Sequence, residues 1–411
     1  MTLFVVIAGL VLLVFLHELG HFWVARAVGM RPRSFYIGFP PALVKTKRKG
    51  IEYGIGMIPL GGMVRLPGMN RPAARDLRWF VEPAMREQPR LVPAVGAVRR
   101  ALEAEDYDAA RRASFELEEE VRAAELTPSA RRSAERAIRE VEEGTAEEAY
   151  WRGATWKRVA VIAAGPFANI VVAFVILFLV FAISGGPAPS NQVPPNVYRV
   201  VSGTPAAAAG LKKGDQIMSI NGRRTPTFDD VSQRIQASDG RPLTLIVLRN
   251  GRRVVVGPHR TRKVGGRWEF GFEVANPLVP YSVGKAASTA GSELWSTVGG
   301  TGRGFAGLFS SHGRSQLSGP VGIVRVSEQQ LRAGWSHYLE ILALVSMSLA
   351  LLNLLPLLPL DGGHILFSLI EAVRRRALAR EVYERVSLVG IALVLLLLVI
   401  ASSNDLSGVT H

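Results

Sequence analysis

Hydrophobic positions in this chain gather into four long blocks separated by polar stretches. The first runs from Met1 to about Val28: it is apolar to Leu16, is interrupted by His17, Glu18 and His21, and resumes with Phe22, Trp23 and Val24. The second covers Val159–Ile183, the third about Leu339–Leu360, and the fourth Val386–Ala401. A helix needs about 20 such residues to cross a hydrocarbon core. The pattern therefore predicts transmembrane helices at 1–28, 157–184, 338–363 and 386–402. The opening block has no basic leader and no small-residue cleavage site after it, so it reads as a retained span and not a signal peptide.

The segments between the blocks differ in kind. In 29–70, Ile51–Leu66 carries β-type residues punctuated by glycine, and Pro59 with Gly61 and Gly62 favours a turn, which predicts a small β-hairpin or membrane-dipping loop. Residues 71–150 are rich in Ala, Glu and Arg at helical spacing, with breaks near Pro89–Pro93 and Thr127–Pro128. They predict a charged helical insertion, either a solvated spacer or a docking module for a cytoplasmic partner. From 193 to 276 short strands alternate with turn signals and one helix, Phe228–Ala237. Residues 277–337 read as a linker with an amphipathic segment.

Charge orients these pieces. Arg26, Arg31, Arg33, Lys45, Lys47, Arg48 and Lys49 follow the first span, Lys157 and Arg158 precede the second, and Arg374, Arg375, Arg376, Arg380 and Arg385 join the third to the fourth. Short basic loops stay cytoplasmic, so both termini are expected outside. The formal charge of +15 is dispersed, without an aromatic-interleaved basic patch. It fits anionic lipid at the bilayer surface and argues against nucleic acid. Cysteine is absent, so a metal site has only His, Asp and Glu to draw on.

His17-Glu18-Leu19-Gly20-His21 carries the chemistry. Positions i and i+4 share a helix face, so both imidazoles reach one metal, and Glu18 falls beside that face as a general base toward water. Two His and a Glu inside an apolar span are costly in lipid, which favours a functional site over a satisfied polar cluster. Sixteen residues precede His17, which puts the site ~24 Å along the helix and in the cytoplasmic third of a core ~30 Å thick. A catalytic zinc takes three protein ligands and keeps one open position. The third span ends Asn353-Leu-Leu-Pro356-Leu-Leu-Pro359-Leu-Asp361-Gly362-Gly363-His364. Asp361 reaches the same depth and is the expected third ligand, with His364 the rival; a helix-end carboxylate facing water is the plainer alternative. Gly165, Pro166 and Asn169 in the second span read as packing against the site, with Gly-Pro as ordinary helix-start geometry.

Several wordings carry a family resemblance. Ser202–Asp215 (SGTPAAAAGLKKGD) followed by Ile220-Asn221-Gly222 resembles a PDZ domain of the bacterial protease type, a module that takes an extended peptide along a sheet edge. Gly271-Phe272 would then be a remnant of its carboxylate loop, or else a plain β-turn. With HELGH in the first span, Gly-Pro-Phe-Ala-Asn at Gly165–Asn169 and Asn353–Gly362 closing the third, the chain resembles the site-2 protease family, in its bacterial branch with an extracytoplasmic PDZ domain. Gly319–Ile323 resembles that family's amphipathic segment, whereas Leu358 stands where the family has a second proline and 71–150 is longer than the family leads one to expect.

The resemblance implies a polytopic α-helical membrane protein with four transmembrane helices, an inserted α+β PDZ-like domain and a cytoplasmic helical insertion. It implies zinc on His17, His21 and Asp361, Glu18 as catalytic base, and Asn353 with the Ile55–Val64 segment, including Gly61 and Gly62, holding the substrate strand. Expected partners are the lipid bilayer and single-pass membrane-protein substrates, anti-sigma factors or signal-peptide remnants, at a bacterial plasma membrane. The competing readings are a membrane-anchored PDZ adaptor with a non-catalytic metal site, and a metal-ion transporter.

Overall fold

A computed structural model describes residues 1–69, 71–307, 319–378 and 380–407. They form two units, 1–177 with 291–411 and 178–290.

The first unit opens with helix α1 (Thr2–Ala27), which is apolar nearly all round. Two long strands follow, β1 (Ser34–Arg48) and β2 (Ile51–Arg65). Their turn falls at Lys49-Gly50, not at Pro59–Gly62 as the sequence suggested. Both turn residues have positive φ, 50° and 79°, the requirement of a two-residue hairpin loop whose twist matches its strands. The hairpin then folds back on itself: Ser34–Ile37 faces Glu52–Ile55 on one flank and Gly62–Arg65 on the other. Pro59 to Gly61 is where β2 crosses between those flanks. Tyr36 donates its hydroxyl to Glu52, which also accepts from Lys45. That bond holds the Glu52 carboxyl below its usual range and pushes the Tyr36 phenol up to about 12.

The insertion is α2 (Ala74–Glu87), α3 (Val92–Glu103), α4 (Tyr107–Ala123) and α5 (Pro128–Thr145). Leu77, Val81, Leu91, Val98, Leu117 and Ile138 make its own buried core. Asp106 and Thr127 cap α4 and α5 by accepting from Ala109 and Ala130 N–H, each worth ~1 kcal/mol. Arg31–Glu148, Arg33–Glu143 and Arg65–Glu140, at 3.5–3.7 Å, join it to the hairpin end. These pairs are partly exposed, so each contributes under about 1 kcal/mol. Helix α6 (Thr155–Ile183) then leaves the unit.

The second unit is the mixed insert. Strands β3 (Gly186–Pro187) and β4 (Val197–Val200), helix α7 (Pro205–Ala208), β5 (Gln216–Ile220), β6 (Arg223–Arg224), α8 (Phe228–Ala237), β7 (Pro242–Arg249), β8 (Arg252–Arg260), β9 (Arg262–Val264), β10 (Arg267–Glu269), β11 (Phe272–Val274) and β12 (Leu278–Val279) follow in order. The main sheet runs β6-β5-β7-β8, and β11 pairs with β4. Ile217, Ile220, Val231, Leu243, Leu245, Val247 and Phe270 fill the core. Asp215, fully buried, is held by both nitrogen arms of Arg249 at 2.7 Å. Thr227 and Asp230 form a reciprocal cap on α8.

Helix α9 (Val283–Gly307), in a stretch read as linker, leads back toward the first unit, which resumes with α10 (Pro320–Ala333) and α11 (Trp335–Asn353). The span expected to run through Gly363 ends at Asn353, and α12 (Asp361–Arg374) is a separate helix. Pro356 and Pro359 lack the N–H that would continue the ladder. Gly362 and Gly363 press against the loop they close: a Cβ would lie 2.2 Å from the Leu354 carbonyl oxygen and 2.5 Å from Leu358 N. Helix α13 (Arg380–Ser407) ends the described chain, and Gly390 lets it pass over Leu358, where a Cβ would meet the carbonyl oxygen at 1.6 Å. Among the described residues, four helices, α1, α6, α11 and α13, are long and apolar enough to cross a membrane.

Candidate metal centre

Three donors converge where α1, α6 and α12 meet. His17 and His21, one turn apart on α1, bring their Nε2 atoms to 3.3 Å. Each lies 3.3–3.4 Å from Asp361 Oδ2, at the first residue of α12. Among the described residues this is the one group of three or more His, Asp or Glu donors close enough to share a metal ion.

The surroundings fix which atoms face inward. His21 Nδ1 lies 2.8 Å from the Val161 carbonyl oxygen. A carbonyl only accepts, so Nδ1 carries the proton and Nε2 presents its lone pair. His17 Nδ1 is 3.2 Å from the side-chain amide of fully buried Asn169. The atom placed there is Nδ2, while the Asn169 Oδ1 is buried without a partner. Turning the amide by 180° pairs that oxygen with His17 Nδ1–H and leaves Nε2 likewise free. The Asn169 backbone carbonyl accepts from Ser346 Oγ at 2.9 Å, which ties α6 to α11. Asp361 Oδ2 is buried without a hydrogen-bond partner. Three lone-pair atoms thus face one another, a repulsive arrangement unless a cation sits between them. Zinc held ~2.0–2.1 Å from each tetrahedral donor sets neighbouring donors ~3.3–3.4 Å apart. The spacing observed is that spacing, so the residues fit the metal.

Glycines let the helices close on this point. A Cβ on Gly165 would stand 2.2 Å from His21 Nε2 and 2.8 Å from His17 Cε1, and one on Gly20 would meet the Ala164 carbonyl oxygen at 2.5 Å. Gly165→Ala is expected to push the imidazoles out of register and weaken zinc binding at least ~10-fold, read by zinc titration of the purified protein. Unchanged affinity would show that the rings have room to yield. Pro166 does not start a helix as expected: α6 begins at Thr155, so this proline lies in its interior, where it leaves the Ile162 carbonyl without its ladder donor.

Glu18 lies half-buried beside the triangle, close enough to sense the charges of His17, His21 and Asp361. Gly62 on β2 packs against it, for a Cβ there would be 2.4 Å from Glu18 Cγ. Gly62–Arg65 is paired only with Ser34–Ile37 among the described residues; no strand lies along its other edge, where the Glu18 carboxyl approaches the Val64 backbone N–H. Gly61 precedes that edge, with the Phe39 ring against it. Ile55 is different: Ile37 and Val44 flank it on both sides, so its backbone has no free edge.

The other anticipated residues lie elsewhere. Asn353 is the last residue of α11, at the head of the loop leading to Asp361. His364 is outside the donor group and lines a cavity with Arg158, Glu371 and Tyr383. In the second unit Gly271 has φ 96°, and Thr204 packs so tightly on it that no side chain fits. Phe272 begins β11, opposite Val200. Sequence reasoning did not single out the Val161 carbonyl or Ser346. A backbone acceptor has no residue-type signature, and a lone serine in an apolar helix carries little.

The sequence pattern of Peptidase family M50 matches residues 5–397. The chain belongs to peptidase family M50. Full-length relatives of this M50 chain carry zinc metalloprotease names. It is 30% identical over 422 residues to the zinc metalloprotease RasP of Geobacillus kaustophilus, covering 98% of this chain and 96% of the relative. It is 29% identical over 421 residues to the regulator of sigma-W protease RasP of Bacillus subtilis, with 98% and 97% covered. The M50 chain is an intramembrane zinc metalloprotease and a multi-pass membrane protein.

Proposed function

We propose that this M50 peptidase hydrolyses peptide bonds in or beside the transmembrane segments of single-pass membrane proteins, with His17, His21 and Asp361 holding zinc and Glu18 as the base. The observation that carries the residue assignment is the triangle of inward-facing lone pairs on two helices. Zinc at that point supplies Lewis acidity toward a carbonyl and toward water. Glu18 takes the proton of the attacking water and later delivers it to the leaving amine. The buried amide of Asn169 and the Val161 carbonyl keep both imidazoles in the tautomer that offers Nε2.

A helical substrate hides its scissile amide in hydrogen bonds and must be drawn out before it can be cut. The open edge at Gly62–Arg65, beside Glu18, supports capture of the unwound segment by strand addition. Asn353, heading the loop to Asp361, is proposed as a further holder of that strand. The short basic loops support a plasma-membrane orientation with both termini extracytoplasmic and the site in the cytoplasmic third. In that arrangement 193–276, with Gly271-Phe272, is an extracytoplasmic filter or docking module, and 71–150 is cytoplasmic. The named role of the Bacillus subtilis relative, regulation of sigma-W, supports anti-sigma-type substrates.

The test is cleavage of a model single-pass substrate by the purified protein in detergent. A chelator should abolish it and zinc should restore it, with new termini mapping to the cytoplasmic third of the substrate span. A photoreactive residue at Met63 should label the same substrate. Chelator-resistant cleavage, or termini on the outer side, would defeat this assignment.

A further inference from the structure

We propose that Arg158 and Glu371 are a positioning pair that sets Asp361 in register with His17 and His21. The inference rests on the ligand assignment above and names what holds that assignment in place. Arg158 Nη1 donates to Glu371 Oε2 at 2.7 Å, and both side chains are largely buried, at 10% and 13% exposure. The other Glu371 oxygen accepts from the Leu378 N–H at 3.0 Å, so the carboxylate also secures the turn between α12 and α13. The Arg158 carbonyl accepts from the Tyr150 hydroxyl at 3.4 Å.

The placement of the two residues gives the pair its leverage. Arg158 belongs to α6, the helix on which both imidazoles rest through Gly165, Val161 and Asn169. Glu371 belongs to α12, whose first residue is Asp361. The first turn of α12 is locked to its own loop by Gly362 and Gly363, and α13 crosses the same loop at Gly390. Loop, α12 and α13 therefore form one block, and Arg158–Glu371 links it to α6 in the half that carries the imidazoles. Ile365 packs α12 on the cluster that holds Val161 and Ile162, nearer the site, whereas the space beside the pair opens into a cavity of about 1020 Å³ lined by residues that include Arg158, Glu371, Tyr150, Tyr383, Ser368 and His364. Ten residues separate Asp361 from Glu371, a lever of ~15 Å, so a tilt of ~2° at the Glu371 end displaces Asp361 by ~0.5 Å. Metal–ligand distances tolerate only about ±0.2 Å. A small loss of angle therefore becomes a loss of ligand geometry.

Full-length protein in detergent tests this with Glu371→Gln, Glu371→Ala and the charge-reversed pair Arg158→Glu with Glu371→Arg. Zinc affinity and the absorption spectrum of the cobalt-substituted protein are read alongside thermal unfolding. Both single variants should bind zinc roughly 10- to 100-fold more weakly, with an altered cobalt spectrum and kcat reduced more than KM. The reversed pair should recover most of the affinity. Should Glu371→Gln, the milder change, keep zinc affinity and the cobalt spectrum while only the unfolding temperature falls, the pair is structural and the proposal fails. Asp361→Ala measured in parallel separates the two levels. If it loses zinc while Glu371→Ala does not, the ligand set stands and the positioning role alone is gone; if Asp361→Ala keeps zinc, the ligand assignment itself is wrong.

Discussion

Glu18→Gln is expected to keep its zinc and lose cleavage of a transmembrane substrate by about 10²- to 10⁴-fold, the usual worth of a positioned general base. The substitution keeps the size and shape of the side chain, so the close approach of Gly62 is undisturbed. None of the three converging donors belongs to Glu18, and both imidazoles keep their partners at Val161 and Asn169. What disappears is the basic lone pair, because an amide oxygen does not take a proton near neutral pH. Metal content by mass spectrometry and product formation on one preparation make the check. Retained cleavage moves the base to another residue. Lost zinc makes Glu18 part of the scaffold, and the division between ligands and base would have to be redrawn. Because the variant is nearly isosteric, a fall in stability large enough to mimic either result is not expected.

The parts of this site that were legible in the sequence share one property: their geometry is local. His17 and His21 are four residues apart, and helical periodicity alone puts them on one face. Charged groups in an apolar span are expensive enough to stand out from their neighbours. Asp361 was read from depth, since its span, like the first, is expected to enter from outside, and two prolines and two glycines mark where the helix ends. The four apolar helices and helix Phe228–Ala237 were readable for the same reason, that periodicity and end signals lie within one segment. What was not readable depends on pairings across the fold. The 34–48 stretch looked like a basic loop because its lysines and arginines hid the strand, and only the Lys49-Gly50 turn and the pairing with β2 make it one. Ile55 and Gly62 looked equivalent within a run of β-type residues. Which of them has a free edge follows from the fold-back of the hairpin, a tertiary fact. Arg158 was counted only as a basic flank of the second span. Its partner lies 213 residues away, and no pattern along the chain pairs them.

Asp361→Ala is expected to lose zinc and activity together. Outer partners of metal ligands typically cost 10- to 100-fold in affinity, so removing a ligand costs more than ~100-fold. Two imidazoles alone make an incomplete zinc set, since a structural or catalytic site keeps at least three protein donors. The geometry gives the prediction its specificity. Asp361 Oδ2 is the buried oxygen without a hydrogen-bond partner, and it is nearly equidistant from both Nε2 atoms. His364, three residues further along α12, lines the neighbouring cavity instead. His364→Ala should therefore leave zinc affinity near that of the parent, and the contrast between the two variants decides the third ligand. Asp361→Asn sharpens it further. The amide keeps an oxygen in place but loses the negative charge that offsets the cation in a low-dielectric setting, so its affinity should fall nearly as far as that of the alanine variant. If Asp361→Ala retained zinc and His364→Ala lost it, the first turn of α12 would have to rotate on binding metal. The close fit of Gly362 and Gly363 against Leu354 and Leu358 opposes that rotation.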